Sequence, residues 1–378
     1  MSLSIDGFTI AVPEETLTDL RARLANTRWP AEATVPGWQQ GVPVSYLQEF
    51  CRYWREEYDW RRTEARLNAV PQFTAMIDGL RLHFLHARSP HPDALPLVLT
   101  HGWPGSVREF LDLVEPLVCP ADPADAFHVV CPSLPGFGFS DKPTAPGWGV
   151  QRIAAAIIEL MSRLGYRRYA AQGGDWGAVI TSIIGAADPA HVAGVHLNIP
   201  VVLSTVPDPE LTKDLSDFEQ QGVDRATRFG AVGTGYLTQM ATKPQTLAYG
   251  LSDSPVAQAA WILEKFYEWT DCEGDPRNAL SIDTMIDNIM LYWVTDSGAS
   301  SSRIYWESMF DLPNDQVGVP AGCSIFPFEH VRVPRKVAER YLTDIVHWNE
   351  LPRGGHFASL EQPDVFLDEL RTCFAHIR

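Results

Sequence analysis

A chain of 378 residues with 45% hydrophobic and 20% charged residues has the composition of a soluble globule, long enough to bury roughly three quarters of the surface its unfolded form would expose. Thirty basic against 47 acidic residues leave a formal charge of −17, which repels nucleic acid and anionic membrane and favours a small neutral or cationic substrate only weakly. There is no apolar run of about 18 residues to span a bilayer, and Met1-Ser2-Leu3-Ser4-Ile5-Asp6 lacks the basic opening of a secretory signal. Taken as the full chain, the expected address is cytoplasmic.

The cysteines, Cys51, Cys119, Cys131, Cys272, Cys323 and Cys373, form no CxxC pair. They read as buried free thiols, and no metal site is expected.

Along the chain, Pro13 opens a helix with Leu17, Leu20 and Leu24 on one face, and Arg28-Trp29-Pro30 ends it. Leu47, Phe50, Cys51, Trp54 and Tyr58 follow at helical spacing and make a broad aromatic face. From Phe73 the pattern becomes short apolar runs. Phe73–Ile77 and Leu82–His86 predict a hairpin around Asp78-Gly79. Strands are predicted at Leu95–Thr100, Phe127–Cys131, Tyr169–Gln172, Val192–Ile199, Cys323–Phe326 and Asp344–Trp348. A helix over Ala178–Ile184 follows the third of these. Strands alternating with helices argue for a mostly parallel sheet covered on both faces. Between Pro200 and about Gly322 the strand rhythm stops. Ser254-Pro255 is a good helix start, and Ile282–Val294 is a second apolar helix. A helical insertion between two strands reads as a lid.

The chemistry centres on Gly173-Gly174-Asp175-Trp176-Gly177. An apolar strand, a small-x-nucleophile-x-small turn and a helix have the spacing of a nucleophile elbow, the mark of an α/β-hydrolase fold. Asp in place of Ser selects the chemistry. A Ser attacking a saturated carbon would leave an ether that water could not cleave, whereas a carboxylate leaves an ester that water can hydrolyse. Epoxides and alkyl halides are the obvious substrates. His101-Gly102-Trp103-Pro104-Gly105 directly follows a strand, where this architecture draws an oxyanion-hole amide. The donors would be the backbone N–H groups of Trp103 and Trp176.

In Arg353-Gly354-Gly355-His356-Phe357, past the last strand, His356 can reach the elbow and activate water. An orienting carboxylate is expected after the preceding strand, and Glu329 is the one acidic residue in Ser324–His330. Glu361 and Asp364 follow His356 and are poorer candidates. Opening an epoxide also calls for proton donors across the pocket, and the insertion offers Tyr236, Tyr249, Tyr267, Tyr292 and Tyr305. Spacing does not choose among them.

Together these motifs resemble the microsomal-type epoxide hydrolases, a family that includes juvenile hormone epoxide hydrolases. The resemblance runs almost end to end. Arg28-Trp29-Pro30 and Tyr58-Asp59-Trp60 resemble that family's N-terminal arm. His101–Ser106, Gly173–Gly177, Ala241-Thr242-Lys243-Pro244, Leu251–Pro255, Phe326–Glu329 and Arg353–Phe357 match as they stand. One lid tyrosine of the family precedes its Ala-Thr-Lys-Pro stretch, which implies Tyr236. The other lies in the context of Ser301-Ser302-Arg303-Ile304-Tyr305-Trp306-Glu307, which implies Tyr305. The family's charge-relay acid falls on Glu329. Animal members carry a membrane anchor ahead of the arm, and this chain starts at the arm, like a soluble bacterial-type member.

The resulting expectation is an arm over residues 1–90, a hydrolase core over 91–200 and 323–378, and a lid over 201–322. Asp175 attacks an epoxide held by Tyr236 and Tyr305, and water activated by His356 and Glu329 releases a vicinal diol. No cofactor is expected. The partners are a small-molecule epoxide and water, with no nucleic acid and no membrane, and a homodimer is left open. The resemblance covers both detoxifying enzymes and natural-product pathways, some acting on enediyne precursors. Two rivals stand beside it: a haloalkane dehalogenase, whose elbow Trp would hold the leaving halide, and a catalytically silent binding protein on the same fold.

Overall fold

Nine strands form one sheet in the order β1-β2-β3-β5-β4-β6-β7-β8-β9. In this computed structural model, residues 4–200, 213–313 and 315–378 are described. The strands are β1 (Ile5–Phe8), β2 (Gln72–Ile77), β3 (Leu80–Ala87), β4 (Leu95–Thr100), β5 (Phe127–Pro132), β6 (Tyr169–Gly173), β7 (Val192–Leu197), β8 (Ala321–Ile325) and β9 (Ile345–Glu350). From β1 to β5 the pairings are antiparallel. From β5 through β4, β6, β7 and β8 to β9 they are parallel. Every residue of β5, β6 and β8 is buried, including the polar His128, Gln172 and Ser324, which is why these strands are mostly apolar and show no alternation.

The first ninety residues contribute three strands to this sheet as well as helices. Asp78 and Gly79, both at positive φ, make the hairpin turn between β2 and β3. The helix expected from Leu47 to Tyr58 runs from Val44 to Glu56, so Tyr58 falls in the turn before the helix Trp60–Asn68. These helices lie against the insertion between β7 and β8. Glu14–Ala25 and Val44–Glu56 pack on Pro255–Trp269, and Trp60–Asn68 packs on Ile282–Trp293. The Tyr53 hydroxyl donates to Asp283 at 2.9 Å, and that of Tyr58 to Asp287 at 2.8 Å.

The regular elements of the insertion, from Asp217 to Ser308, are all helical among the described residues; its start, residues 201–212, lies outside the described residues. Ser254 caps the helix Pro255–Trp269 by accepting from the Ala257 amide, as its sequence implies. No helix among the described residues is long and apolar enough to cross a membrane. Five cysteines are buried and free, while Cys119 is free but exposed.

Candidate active site

The site forms where β4, β6, β8 and β9 end, since the loop after each brings one group to the same place. Asp175 sits between β6 and the helix Trp176–Ala187 with φ 53 and ψ −129. That conformation is costly for a side-chain-bearing residue and persists only where its surroundings hold it. The close approach that holds it needs glycine. A Cβ on Gly177 would stand 1.9 Å from the Thr100 carbonyl oxygen, and one on Gly102 would stand 2.1 Å from Asp175 Oδ1.

The Trp103 amide donates to Asp175 Oδ1 at 2.7 Å. The Trp176 amide faces the same carboxylate and favours its charged form, although it closes no capping hydrogen bond. Burial raises the Asp175 pKa above the ordinary carboxylate value, while His356 and the two amides oppose that rise.

His356 follows β9 and is anchored by its own amide, which donates to the Trp269 carbonyl at 2.8 Å. Its Nδ1 lies 2.9 Å from each Glu329 oxygen, and its Nε2 lies 3.6 Å from Asp175 Oδ2. Burial works against the imidazolium, but the adjoining Glu329 and Asp175 carboxylates outweigh it and push the His356 pKa up to about 9. For Glu329, burial favours the neutral acid, yet His356 and His330 hold it well below the usual carboxylate range.

His330 escapes sequence reasoning. Its Nδ1 is 2.7 Å from Glu329 Oε1 without the alignment of a hydrogen bond, and its ring stacks on Trp269 at 4.4 Å. Glu329, His330 and His356 have the mutual spacing of metal ligands, but both imidazole Nδ1 atoms approach the carboxylate itself. Of the poorer acid candidates, Glu361 accepts from the Phe357 and Asp271 amides, and Asp364 is exposed. Neither reaches His356.

The five tyrosines separate clearly. Tyr249 is 71% exposed, Tyr267 stacks on Trp38, and the Tyr292 hydroxyl donates to the Gly105 carbonyl at 2.6 Å. Tyr236 and Tyr305 are buried over the elbow. The Tyr236 ring stacks on Trp103 at 5.2 Å, Tyr305 meets Trp176 edge-on at 4.8 Å, and the two phenol rings are 5.8 Å apart. Burial and the nearby Asp175 charge keep both phenols neutral. The buried Lys265 ammonium lies 4.3 Å from the Tyr236 ring centroid.

Two family models match this chain: the epoxide hydrolase N terminus over residues 5–110 and the α/β-hydrolase fold over residues 96–323. A Stigmatella aurantiaca protein named provisionally as an epoxide hydrolase is 53% identical over 99% of this chain and 86% of its own. The chain belongs to the epoxide hydrolase family. Rabbit (Oryctolagus cuniculus) epoxide hydrolase 1 is 33% identical over 97% of this chain and 88% of its own length. The crystal structure of juvenile hormone epoxide hydrolase from the silkworm Bombyx mori superposes with a TM-score of 0.93 at 33% identity, over 99% and 95% of the two chains. This protein is therefore an epoxide hydrolase of α/β-hydrolase fold. The dehalogenase and silent-binder rivals find no support among these relatives.

Proposed function

We propose that the enzyme opens its epoxide through a covalent ester on Asp175, then hydrolyses that ester with water activated by His356. The observation that carries this reading is the division of labour at one carboxylate: Oδ1 is held by the Trp103 amide, while Oδ2 faces His356.

In the first step Oδ2 attacks a ring carbon, the C–O ring bond breaks, and Tyr236 or Tyr305 gives the ring oxygen a proton. Oδ1 becomes the ester carbonyl. Esterification removes the Asp175 charge, one of the charges that hold the His356 pKa up. His356 gives up its proton, making good the one the tyrosine lost, and becomes a competent base only once there is an ester to cleave.

In the second step water attacks Asp175 Cγ and passes a proton to His356, which Glu329 orients. The charge that develops on Oδ1 is met by the Trp103 and Trp176 amides, donors of a kind typically worth ~10²–10³ in rate. Collapse breaks the bond between Cγ and the alkyl oxygen, which takes the proton from His356 and leaves as the second hydroxyl of a vicinal diol. The acid left on Asp175 returns a proton to His356 and closes the cycle.

Within this reading the helical insertion acts as a lid that carries the tyrosines, and residues 1–90 brace it from outside. The reacting partners are a small epoxide and water, and the proposed setting is the cytoplasm. A single turnover in ¹⁸O-water tests the mechanism: the label should enter the Asp175 side chain and not the diol. Label in the diol alone, or wild-type turnover by freshly purified Asp175→Asn, would overturn it.

A further inference from the structure

Beside the nucleophile is a partly enclosed cavity of about 10 Å³ that adjoins Asp175 and His356 and is also lined by Glu109, Asn198 and Ser359. Its size is roughly what one water requires, and its wall is polar enough to hold one. Glu109 lies within the short 3-10 turn Val107–Phe110 that follows the oxyanion loop. Room for its side chain is made by Gly105, where a Cβ would stand 1.6 Å from Glu109 Oε1. Glu109 keeps partial exposure although it lies deep in the protein, as a group lining this cavity does. The Ser106 amide faces its carboxyl, and its nearest charged neighbours are His356 and Asp175. No described side chain forms a hydrogen bond or ion pair with it.

A carboxyl group in such a place is costly unless it is neutral or wet. Burial, reinforced by the Asp175 charge, pushes the Glu109 pKa up to about 8 against the opposing pull of His356. The carbonyl oxygen of a neutral carboxyl accepts a hydrogen bond from water without repelling the charge that develops on the ester.

We propose that Glu109 is the positioning residue for the hydrolytic water. One water hydrogen is held by the Glu109 carboxyl and the other by His356 Nε2, so that a lone pair points at Asp175 Cγ. The cavity is the seat of that water. This assignment rests on the covalent reading above and deepens it. Glu109 touches neither epoxide nor ester, so its loss acts on the second step alone. Attack forms the bond between the water oxygen and Cγ, and the transferred proton goes to His356.

Rapid-quench kinetics with styrene oxide, read by intact-protein mass, separates the two steps. Glu109→Ala should form the ester within about threefold of the wild-type rate but cleave it about 10²-fold more slowly, as a misplaced reactant does, so the adduct accumulates. Glu109→Gln retains an acceptor and the contact with the Ser106 amide, and should cleave its ester nearly as fast as wild type. If Glu109→Ala cleaves its ester at the wild-type rate, or slows both steps equally, Glu109 only supports the loop and the proposal fails. His356→Gln is the control: without an adduct on Asp175 in that variant, the covalent reading itself falls.

Discussion

His356 is shared between two carboxylates, with Nδ1 2.9 Å from both Glu329 oxygens and Nε2 3.6 Å from Asp175 Oδ2. The two contacts differ in permanence, because the proposed ester removes the charge of Asp175 while Glu329 stays ionised. His356, pushed up to about 9 in the free enzyme, should titrate lower in the ester. Acid therefore stops the second step before the first. As pH falls, hydrolysis should slow while alkylation continues, so the Asp175 adduct becomes the major steady-state species. Quench-flow with mass detection between about pH 5 and 9 checks this, and an adduct fraction independent of pH would contradict it.

The two phenols should be partly redundant. General acids are typically worth 10²–10⁴ in rate, but Tyr236 and Tyr305 stand 5.8 Å apart over the same elbow, and each can hold the ring oxygen alone. Tyr236→Phe and Tyr305→Phe should each lower the alkylation rate by about 10–10², and the double variant should fall far below either. Ester hydrolysis should be unaffected. Stopped-flow tryptophan fluorescence suits the measurement, because Trp103 stacks on Tyr236 and Trp176 meets Tyr305 edge-on.

What the sequence discloses and what it withholds follow from the range of the interactions. The central strands are mostly apolar because both faces are covered, and β4 is legible residue for residue at Leu95–Thr100. Asp175 and His356 are legible because their loops are defined by the strands before them. The edge strand β1, four residues with a half-exposed pattern, leaves no periodic signal. Choosing among five tyrosines depends on tertiary packing, such as the Tyr292 bond to Gly105, or on the resemblance that implies Tyr236 and Tyr305. Glu109 reads as an ordinary helix-turn glutamate, the last residue of Ser106-Val107-Arg108-Glu109. Only the fold brings it beside Asp175.

Gly102→Ala probes the oxyanion loop without replacing a proposed catalytic side chain. The new methyl group would fall 2.1 Å from Asp175 Oδ1 and 2.5 Å from Asp175 Cβ, so side-chain rotation alone makes no room and the loop must draw back from the elbow, parting the carboxylate from the Trp103 amide. Loss of one such donor typically costs ~10²–10³ in rate, and here the nucleophile loses its hold as well. The variant should fold, since the loop remains tied to the insertion through Asn288, which donates to the Pro104 carbonyl at 2.7 Å, but its turnover should fall by at least that factor. A crystal structure should show the loop at residue 102 shifted away from Asp175, with the bond from the Trp103 amide to the carboxylate broken. Normal turnover would mean that the amide contributes nothing.

Among the groups that make stability fall with rising pH are His356 and Glu109. His356 has its folded pKa pushed from 6.5 to about 9, so the stability it contributes is complete below 6.5 and lost as pH rises through about 9. Glu109 is pushed from 4.5 to about 8. The folded protein therefore keeps a proton that the unfolded chain releases, and stability declines from 4.5 up to about 8. Glu329 acts in the opposite sense, since a depressed carboxylate pKa withdraws stability only as pH falls below the ordinary value. Glu109→Gln removes one of the declining contributions and should leave a visibly flatter profile. Melting temperatures of wild type and variant, measured between about pH 5 and 9, should converge at the acid end and separate towards pH 8, with the variant more stable. Parallel profiles would show that Glu109 is already ionised in the folded enzyme and would remove the reason for expecting it to present a neutral carboxyl to water.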